Sequence, residues 1–289
     1  MKVGITGGSG FLGKEVCSLL EKKEFIPIII GRSPFPEKIK YEYYTTDYSI
    51  ESLNKSLQGL DAVVHLASLR GTDGSIGDFH QNETMTENLY KSCATLGINN
   101  IVYASSIAVY SDLMSIPWKE EQVPSPKTLY GISKMACEHI GNIYHKKYGL
   151  NIKSLRISQI LGEGERKGFM MNTFIDNAFN KKTLHVIGKS LARREFVYVK
   201  DVANAILLAL LSPNVHDVFN VGSNKAYTNL EIAHIINECF DNEGNYIYSD
   251  SIDEGIESSL MDSSKAQSKL GYSAQYSLKE ALYEIKNNK

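Results

Sequence analysis

The stretch Lys2-Val3-Gly4-Ile5-Thr6-Gly7-Gly8-Ser9-Gly10-Phe11-Leu12-Gly13 decides how the rest of the chain is read. A short apolar strand runs into three evenly spaced glycines, Gly7, Gly10 and Gly13. Leu12, Val16, Leu19 and Leu20 then recur at helical spacing. Strand, glycine turn and helix are what a chain needs to hold a dinucleotide pyrophosphate. The first glycine permits the tight turn, the second lets backbone N–H groups approach the phosphates, and the third packs the helix on the sheet. A glycine triplet alone is a weak motif; the strand before it and the helix after it supply the context it requires.

Outward from this turn, strand-length and helix-length segments alternate. Apolar runs predict strands at 26–30, 41–46, 61–67, 101–104, 152–157, 196–199 and 218–222, and periodicity predicts helices at 50–57, 82–96, 129–148 and 202–211. Strands that are apolar throughout belong to a parallel sheet covered by helices on both faces. From Gly162 the pattern loosens, and the tail from Thr228 reads as two amphipathic helices. The expected architecture is α/β: a Rossmann-type doubly wound parallel sheet with a smaller C-terminal substrate-binding domain. The first would comprise 1–161 with about 198–222, and the second about 162–197 with 223–289.

Composition narrows the classes. The 289 residues suffice for a substantial core, and 31 Lys plus Arg against 33 Asp plus Glu leave no basic excess to attract nucleic acid. No apolar run approaches a membrane span, and the N-terminus lacks a signal-peptide pattern. Cys17, Cys93, Cys137 and Cys239 are scattered, and the seven histidines form no ligand pair. The chain therefore reads as cytoplasmic, without metal, membrane or nucleic-acid partner.

Tyr130 and Lys134 stand four apart on one helical face. An ammonium beside a phenol stabilises the phenolate, so such a tyrosine can exchange a proton with an alcohol or ketone. The pair gains meaning from Ser106, which ends a predicted strand at the ligand-binding edge of the sheet.

Thr6–Gly13, His65-Leu66-Ala67, Ser105-Ser106-Ile107-Ala108-Val109-Tyr110 and Tyr130-Gly131-Ile132-Ser133-Lys134 fall in the order and spacing of one family. With Arg194 to Ala203, Phe219-Asn220-Val221-Gly222 and Asp262 to Ala266, the chain resembles an extended short-chain dehydrogenase/reductase of the NAD-dependent epimerase/dehydratase type. The resemblance implies a catalytic set of Ser106, Tyr130 and Lys134, with Lys134 also holding the nicotinamide ribose. It implies cofactor contacts from Gly7, Gly10, Phe11, Leu12, Gly13, Arg32, Ser33, Leu66 and Ala67, and from Asp47 at the adenine. It further implies a nucleotide-sugar substrate contacted by Ser106, Gln159 and Arg194, and a homodimer.

Departures from the family pattern are informative. Gly31 stands where NAD-preferring relatives carry an acid, followed by Arg32 and Ser33, which favours NADP over NAD. The dehydratases' Asp-Glu pair is replaced by Ile107 and Ala108, which cannot transfer protons, and this argues against water removal from the sugar. Gln159 replaces the usual asparagine. Where related epimerases place an arginine on the diphosphate, the chain reads Asp253-Glu254-Gly255-Ile256, leaving Arg193 or Arg194 for the phosphates. The expected activity is hydride transfer at C4 of a UDP- or other NDP-sugar by a 4-epimerase of polysaccharide biosynthesis. An NADPH-dependent NDP-4-keto-6-deoxysugar 4-reductase and a non-catalytic NAD(P)-binding sensor are the alternatives.

Overall fold

The computed structural model describes residues 1–33, 40–71, 74–111, 113–250 and 257–289. The first half contains β1 (Lys2–Thr6), α1 (Phe11–Lys22), β2 (Ile26–Gly31), β3 (Glu42–Thr45), α2 (Ile50–Ser56), β4 (Ala62–His65), α3 (Ile76–Leu96), β5 (Asn100–Ser106), α4 (Leu129–Tyr148) and β6 (Asn151–Ile157). The second contains β7 (Gln159–Leu161), α5 (Met170–Phe179), β8 (Leu184–Ile187), β9 (Arg193–Tyr198), α6 (Val199–Leu210), β10 (Asp217–Val221), β11 (Ala226–Thr228), α7 (Asn229–Cys239), β12 (Tyr246–Ser249), α8 (Ser264–Leu270) and α9 (Leu278–Asn288).

Seven strands pair in the order β10-β6-β5-β4-β1-β2-β3, all in parallel. The chain winds outward from β1 to β2 and β3 on one side, and through β4, β5 and β6 on the other. The reversal between β1 and β4 opens a crevice at the carboxyl ends of the strands, where such sheets bind ligands. This is the doubly wound Rossmann-type architecture. The strand expected near 218–222 joins it as β10, with Phe219 opposite Leu155.

Both faces are covered, which explains why the strands are apolar throughout. Val16 and Leu20 of α1 and Ile206 and Leu210 of α6 pack on Val3, Ile5 and Val64, and α8 adds Ala266 and Leu270. Leu53 of α2, Leu89 of α3 and Cys137 of α4 pack on Ile28, Ile30, Val63 and Ile101. Each such leucine contributes about 1.5–3 kcal/mol on burial. A third core unites α5, α7 and α9 through Phe174, Ile232, Ile236 and Leu282, against Leu184 and Tyr198. Two small sheets belong to this end: β7 beside β9 in parallel with β11 antiparallel on its other edge, and β8 beside β12.

Three expectations need correction. The third helix begins at Ile76 rather than near Asn82, because Ser75 and Asp78 form a reciprocal capping box at its start. The tail from Thr228 holds three helices and a strand rather than two helices. The reading also passed over β7, β8, β11 and α5: the strands are only three or four residues long, and α5, although Met171, Phe174, Ile175 and Ala178 keep helical spacing, lies in the stretch punctuated by Gly162, Gly164, Gly168 and Gly188. The segment Asp253 to Ile256 lies outside the described residues. Among the described residues no helix is long and apolar enough to cross a membrane, and no group of three or more His, Cys, Asp or Glu could hold a metal.

Candidate active site

Three adjoining pockets run along the carboxyl edge of the parallel sheet. The first, about 360 Å³, is lined by Arg32, Asp47, Tyr48, Ala67 and the N-terminal half of α3. The second, about 410 Å³, takes in Gly7, Gly10, Phe11, Leu12, Gly13, Leu66, Ala67, Ser106, Tyr130, Lys134 and Gln159. The third, about 630 Å³, shares Ile107 and Gln159 with the second and reaches Tyr110, Trp118, Lys127 and Arg194. Residues read from the sequence as cofactor, catalytic and substrate contacts are thus placed along one line. Ser33 is the exception: it lines none of these pockets, and its carbonyl accepts the Tyr43 hydroxyl at 2.7 Å.

The glycine turn is built for close approach. A Cβ on Gly13 would stand 2.5 Å from Cα of Gly8, so only glycine lets α1 sit this near the turn. The first turn of α1 carries neither a capping side chain nor an acid, so its N–H groups face the second pocket available to an anion. Behind the turn, Thr6 Oγ1 pairs with His65 Nδ1 at 2.6 Å and accepts the Ala67 N–H at 3.2 Å. His65 Nε2 lies 3.1 Å from Thr86 Oγ1, and burial, followed by the nearby Lys134 charge, pushes its pKa down to about 3. A neutral histidine therefore ties β1, β4 and α3 together beneath the cofactor crevice. The cradle, its uncapped helix and the cleft on either side fit a dinucleotide.

Ser106 ends β5, and its Oγ accepts the Ala108 N–H at 3.1 Å, capping the 3-10 turn Ile107–Val109. With that lone pair engaged, the hydroxyl proton remains to donate into the cleft. The start of α4 presses against the same turn: a Cβ on Gly131 would lie 2.9 Å from the carbonyl carbon of Ala108. This contact brings Tyr130 alongside Ser106. The Lys134 ammonium donates to the Ala104 carbonyl at 2.7 Å and lies 4.9 Å from the Tyr103 ring centre and 5.7 Å from that of Tyr130. Two of its three donors stay available beside the tyrosine.

Beneath Ser106 lies a buried polar network that sequence reading missed. Arg156 donates through Nε and Nη2 to Glu138 at 3.1 and 2.7 Å, with both side chains at most 5% exposed. The Ser105 hydroxyl donates to the same carboxylate at 2.5 Å. Arg156 Nη1 reaches the Tyr110 hydroxyl at 2.8 Å, which donates in turn to Asn220 Oδ1 at 2.8 Å. Asn82 was missed as well. Its side chain holds both backbone groups of Leu69 (2.7 and 3.1 Å) and donates to Ser133 at 3.2 Å, joining the loop after β4 to α4.

A glycine cradle and a Ser-Tyr-Lys set along one crevice define a short-chain type oxidoreductase site on a doubly wound sheet. The chain belongs to the NAD dependent epimerase/dehydratase family, whose model matches residues 3–222. Over its whole length it is 44% identical to UDP-N-acetylglucosamine 4-epimerase from Bacillus cereus, covering 96% of that chain with a TM-score of 0.93. The uncharacterized UDP-glucose epimerase YtcB of Bacillus subtilis is 26% identical, with 98% of this chain and 96% of the relative aligned. The structure of UDP-glucuronic acid 4-epimerase from Bacillus cereus with UDP-glucuronic acid and NAD is 24% identical, covers 100% of this chain and 99% of that one, and shares the fold at a TM-score of 0.86.

Proposed function

We propose that this chain is a UDP-sugar 4-epimerase working with a bound nicotinamide dinucleotide, with UDP-N-acetylglucosamine and its C4 epimer as the first substrates to test. The observation that carries this reading is the shared cleft of Ser106, Tyr130 and Lys134 beside the glycine cradle, with Ile107 and Ala108 in place of a proton-transferring pair. The 44% identity to a UDP-N-acetylglucosamine 4-epimerase supports the choice of sugar. We assign the dinucleotide to residues 1–161 with about 198–222, and the nucleotide-sugar to about 162–197 with 223–289.

When bound, the nicotinamide supplies a hydride acceptor and donor. Gly7, Gly10, Gly13 and the start of α1 hold its pyrophosphate, and Asp47 and Arg32 reach the adenosine end. Tyr130 Oη takes the proton of the sugar 4-hydroxyl as C4 reaches the ketone level, and returns it once the sugar has presented its other face. Ser106 donates a hydrogen bond to the reacting oxygen, and the Lys134 ammonium offsets the charge on the tyrosine and holds the nicotinamide ribose. Gln159 and Arg194 contact the substrate, Arg194 at the phosphates.

Arg32 supports NADP, whereas the family description and the neighbouring complexes support NAD. A Cβ at position 31 would stand 2.5 Å from Tyr43 Oη, so the acid of NAD-preferring relatives could enter there only if the Tyr43 side chain shifted. Arg32 also supports a second reading, an NADPH-dependent 4-ketoreductase. Proton NMR of purified protein with UDP-N-acetylglucosamine separates the two: the epimerase inverts C4 with no net cofactor consumption, and Tyr130→Phe abolishes the inversion. Absence of inversion with all four UDP-hexoses and N-acetylhexosamines would refute the epimerase. Equal activity of wild type and Tyr130→Phe in every assay would favour a non-catalytic sensor.

We also assign a homodimer in the cytoplasm. Ile132 and Ile143, about three turns apart on one face of α4, are 40% and 59% exposed, and the four cysteines are free. Light scattering at micromolar concentration reports the dimer.

A further inference from the structure

The third pocket has two cationic walls. Arg194 stands on β9, and Lys127 lies in the loop that leads into α4 three residues before Tyr130. Arg193, the other arginine available for phosphate, is turned away: it donates to both oxygens of Glu231 at 3.1 and 2.9 Å and does not line the pocket. Lys127 Nζ meets Glu257 Oε1 at 2.6 Å, and the two side chains remain 44% and 49% exposed at the pocket wall. Glu257 comes from the C-terminal stretch whose backbone pairs with Trp118, so this ion pair bridges the pocket from one wall to the other.

Resting on the assignment of a UDP-sugar substrate, we propose that Lys127 is the second cation for the substrate diphosphate, and that it exchanges Glu257 for the ligand on binding. An ion pair this exposed contributes little to stability, so giving it up costs the fold little. A diphosphate carries more charge than one carboxylate and offers several acceptors to an ammonium on a flexible stem. Glu257 meanwhile offsets part of the positive charge at the wall of the empty pocket. It also opposes every anion that enters, so the two partners of one ion pair act on affinity with opposite sign.

That opposition is the test. Trp118 is the chain's single tryptophan and lines this pocket, so its fluorescence reports occupancy by UDP, and by uridine as a phosphate-free control. Lys127→Ala is expected to weaken UDP by about tenfold or more, with uridine affinity changed less than about threefold. Lys127→Arg retains most of the UDP affinity, and Glu257→Gln tightens UDP by about threefold. Thermal unfolding close to wild type in all three shows that the fold is intact. Equal weakening of UDP by Lys127→Ala and Glu257→Gln, or unchanged UDP affinity in Lys127→Ala, overturns the assignment while leaving the epimerase reading in place. Wild-type protein that binds no UDP at millimolar concentration overturns both.

Discussion

Replacing Glu138 by alanine probes the buried network under the reacting centre. The substitution leaves the Arg156 guanidinium 4% exposed, with its Nε and Nη2 donors stripped of their carboxylate and only the Tyr110 hydroxyl on Nη1. Removing one partner of a buried pair costs about 3–5 kcal/mol, because the remaining charge cannot return to water. For 289 residues, unfolding entropy at about 2.1 cal/mol/K per residue gives roughly 0.6 kcal/mol/K, so Tm should fall by about 5–8 °C. Activity should fall as well, since the Ser105 hydroxyl loses its acceptor and Ser106 is the next residue along β5. The expected pattern is a lower kcat with KM little changed, because the carboxylate itself faces no ligand. Pairing Glu138→Leu with Arg156→Met should recover most of the stability but not the turnover, since removing both charges leaves no buried charge unpaired, while the Ser105 hydroxyl still lacks its acceptor. Calorimetry and single-turnover kinetics on wild type and the two variants provide the measurement. A Tm loss below about 2 °C in Glu138→Ala, or a double variant no more stable than the single, would refute this account of the network.

Three further outcomes follow from the geometry. Gly13→Ala forces α1 away from the glycine turn, costing about 1–3 kcal/mol from overpacking, and should abolish retention of the dinucleotide through gel filtration. Arg32→Asp should lower the ratio of NADP to NAD affinity by about tenfold or more, read by titration of each cofactor; an unchanged ratio removes Arg32 from the adenosine site. His65 takes a proton near pH 6.5 when unfolded and only near 3 when folded, so the unfolded chain binds more protons between those values and stability rises with pH across them. Urea unfolding of wild type should show this gain, about 2.5 kcal/mol between pH 4.5 and 7 from this group, and His65→Asn should lack that part of the slope.

Much of the parallel sheet was legible because burial on both faces forces unbroken apolar runs, as in Ile28-Ile29-Ile30 and Ala62-Val63-Val64. The α4 limits at 129–148 were legible too, since Thr128 caps its start and Gly149 ends it in a left-handed turn. The first turns of α3 escaped notice because their polar residues hide the periodicity that Phe79 alone carries there; only the Ser75/Asp78 spacing marks the start. In the candidate site, Ser106, Tyr130 and Lys134 stand in local motifs, and the structure brings them to one pocket. Glu138 and Arg156 pair across 18 residues, Asn82 reaches Ser133 across 51, and Lys127 finds Glu257 across 130. Such pairings arise only when the topology folds distant segments onto one edge, so no local spacing announces them. The Glu four residues after Lys134 on the same helix face was the one available signal, and it reads equally well as a solvated charge.

The junctions between the parallel sheet and the smaller one set how the pocket can move. Ser158 alone separates β6 from β7, buried with its N–H on the Val221 carbonyl at 3.0 Å and its hydroxyl on the Glu195 carbonyl at 3.1 Å. β9 passes directly into α6, and the Glu195 carboxylate stitches the returning chain at Asn224 and Met261 with N–H bonds of 2.7 and 3.0 Å. Neither of these passages contains a free linker about which two lobes could swing, so parting them means breaking strand pairing. At these two passages the sheets are held as in a fixed jig rather than a jaw. A sugar that must show both faces of C4 to the same catalytic groups has to turn over between walls that hold their spacing. The swept volume of that turn, set by the side chains where the second and third pockets meet, Ile107 and Gln159 among them, then becomes the limit on which sugars the chain can process.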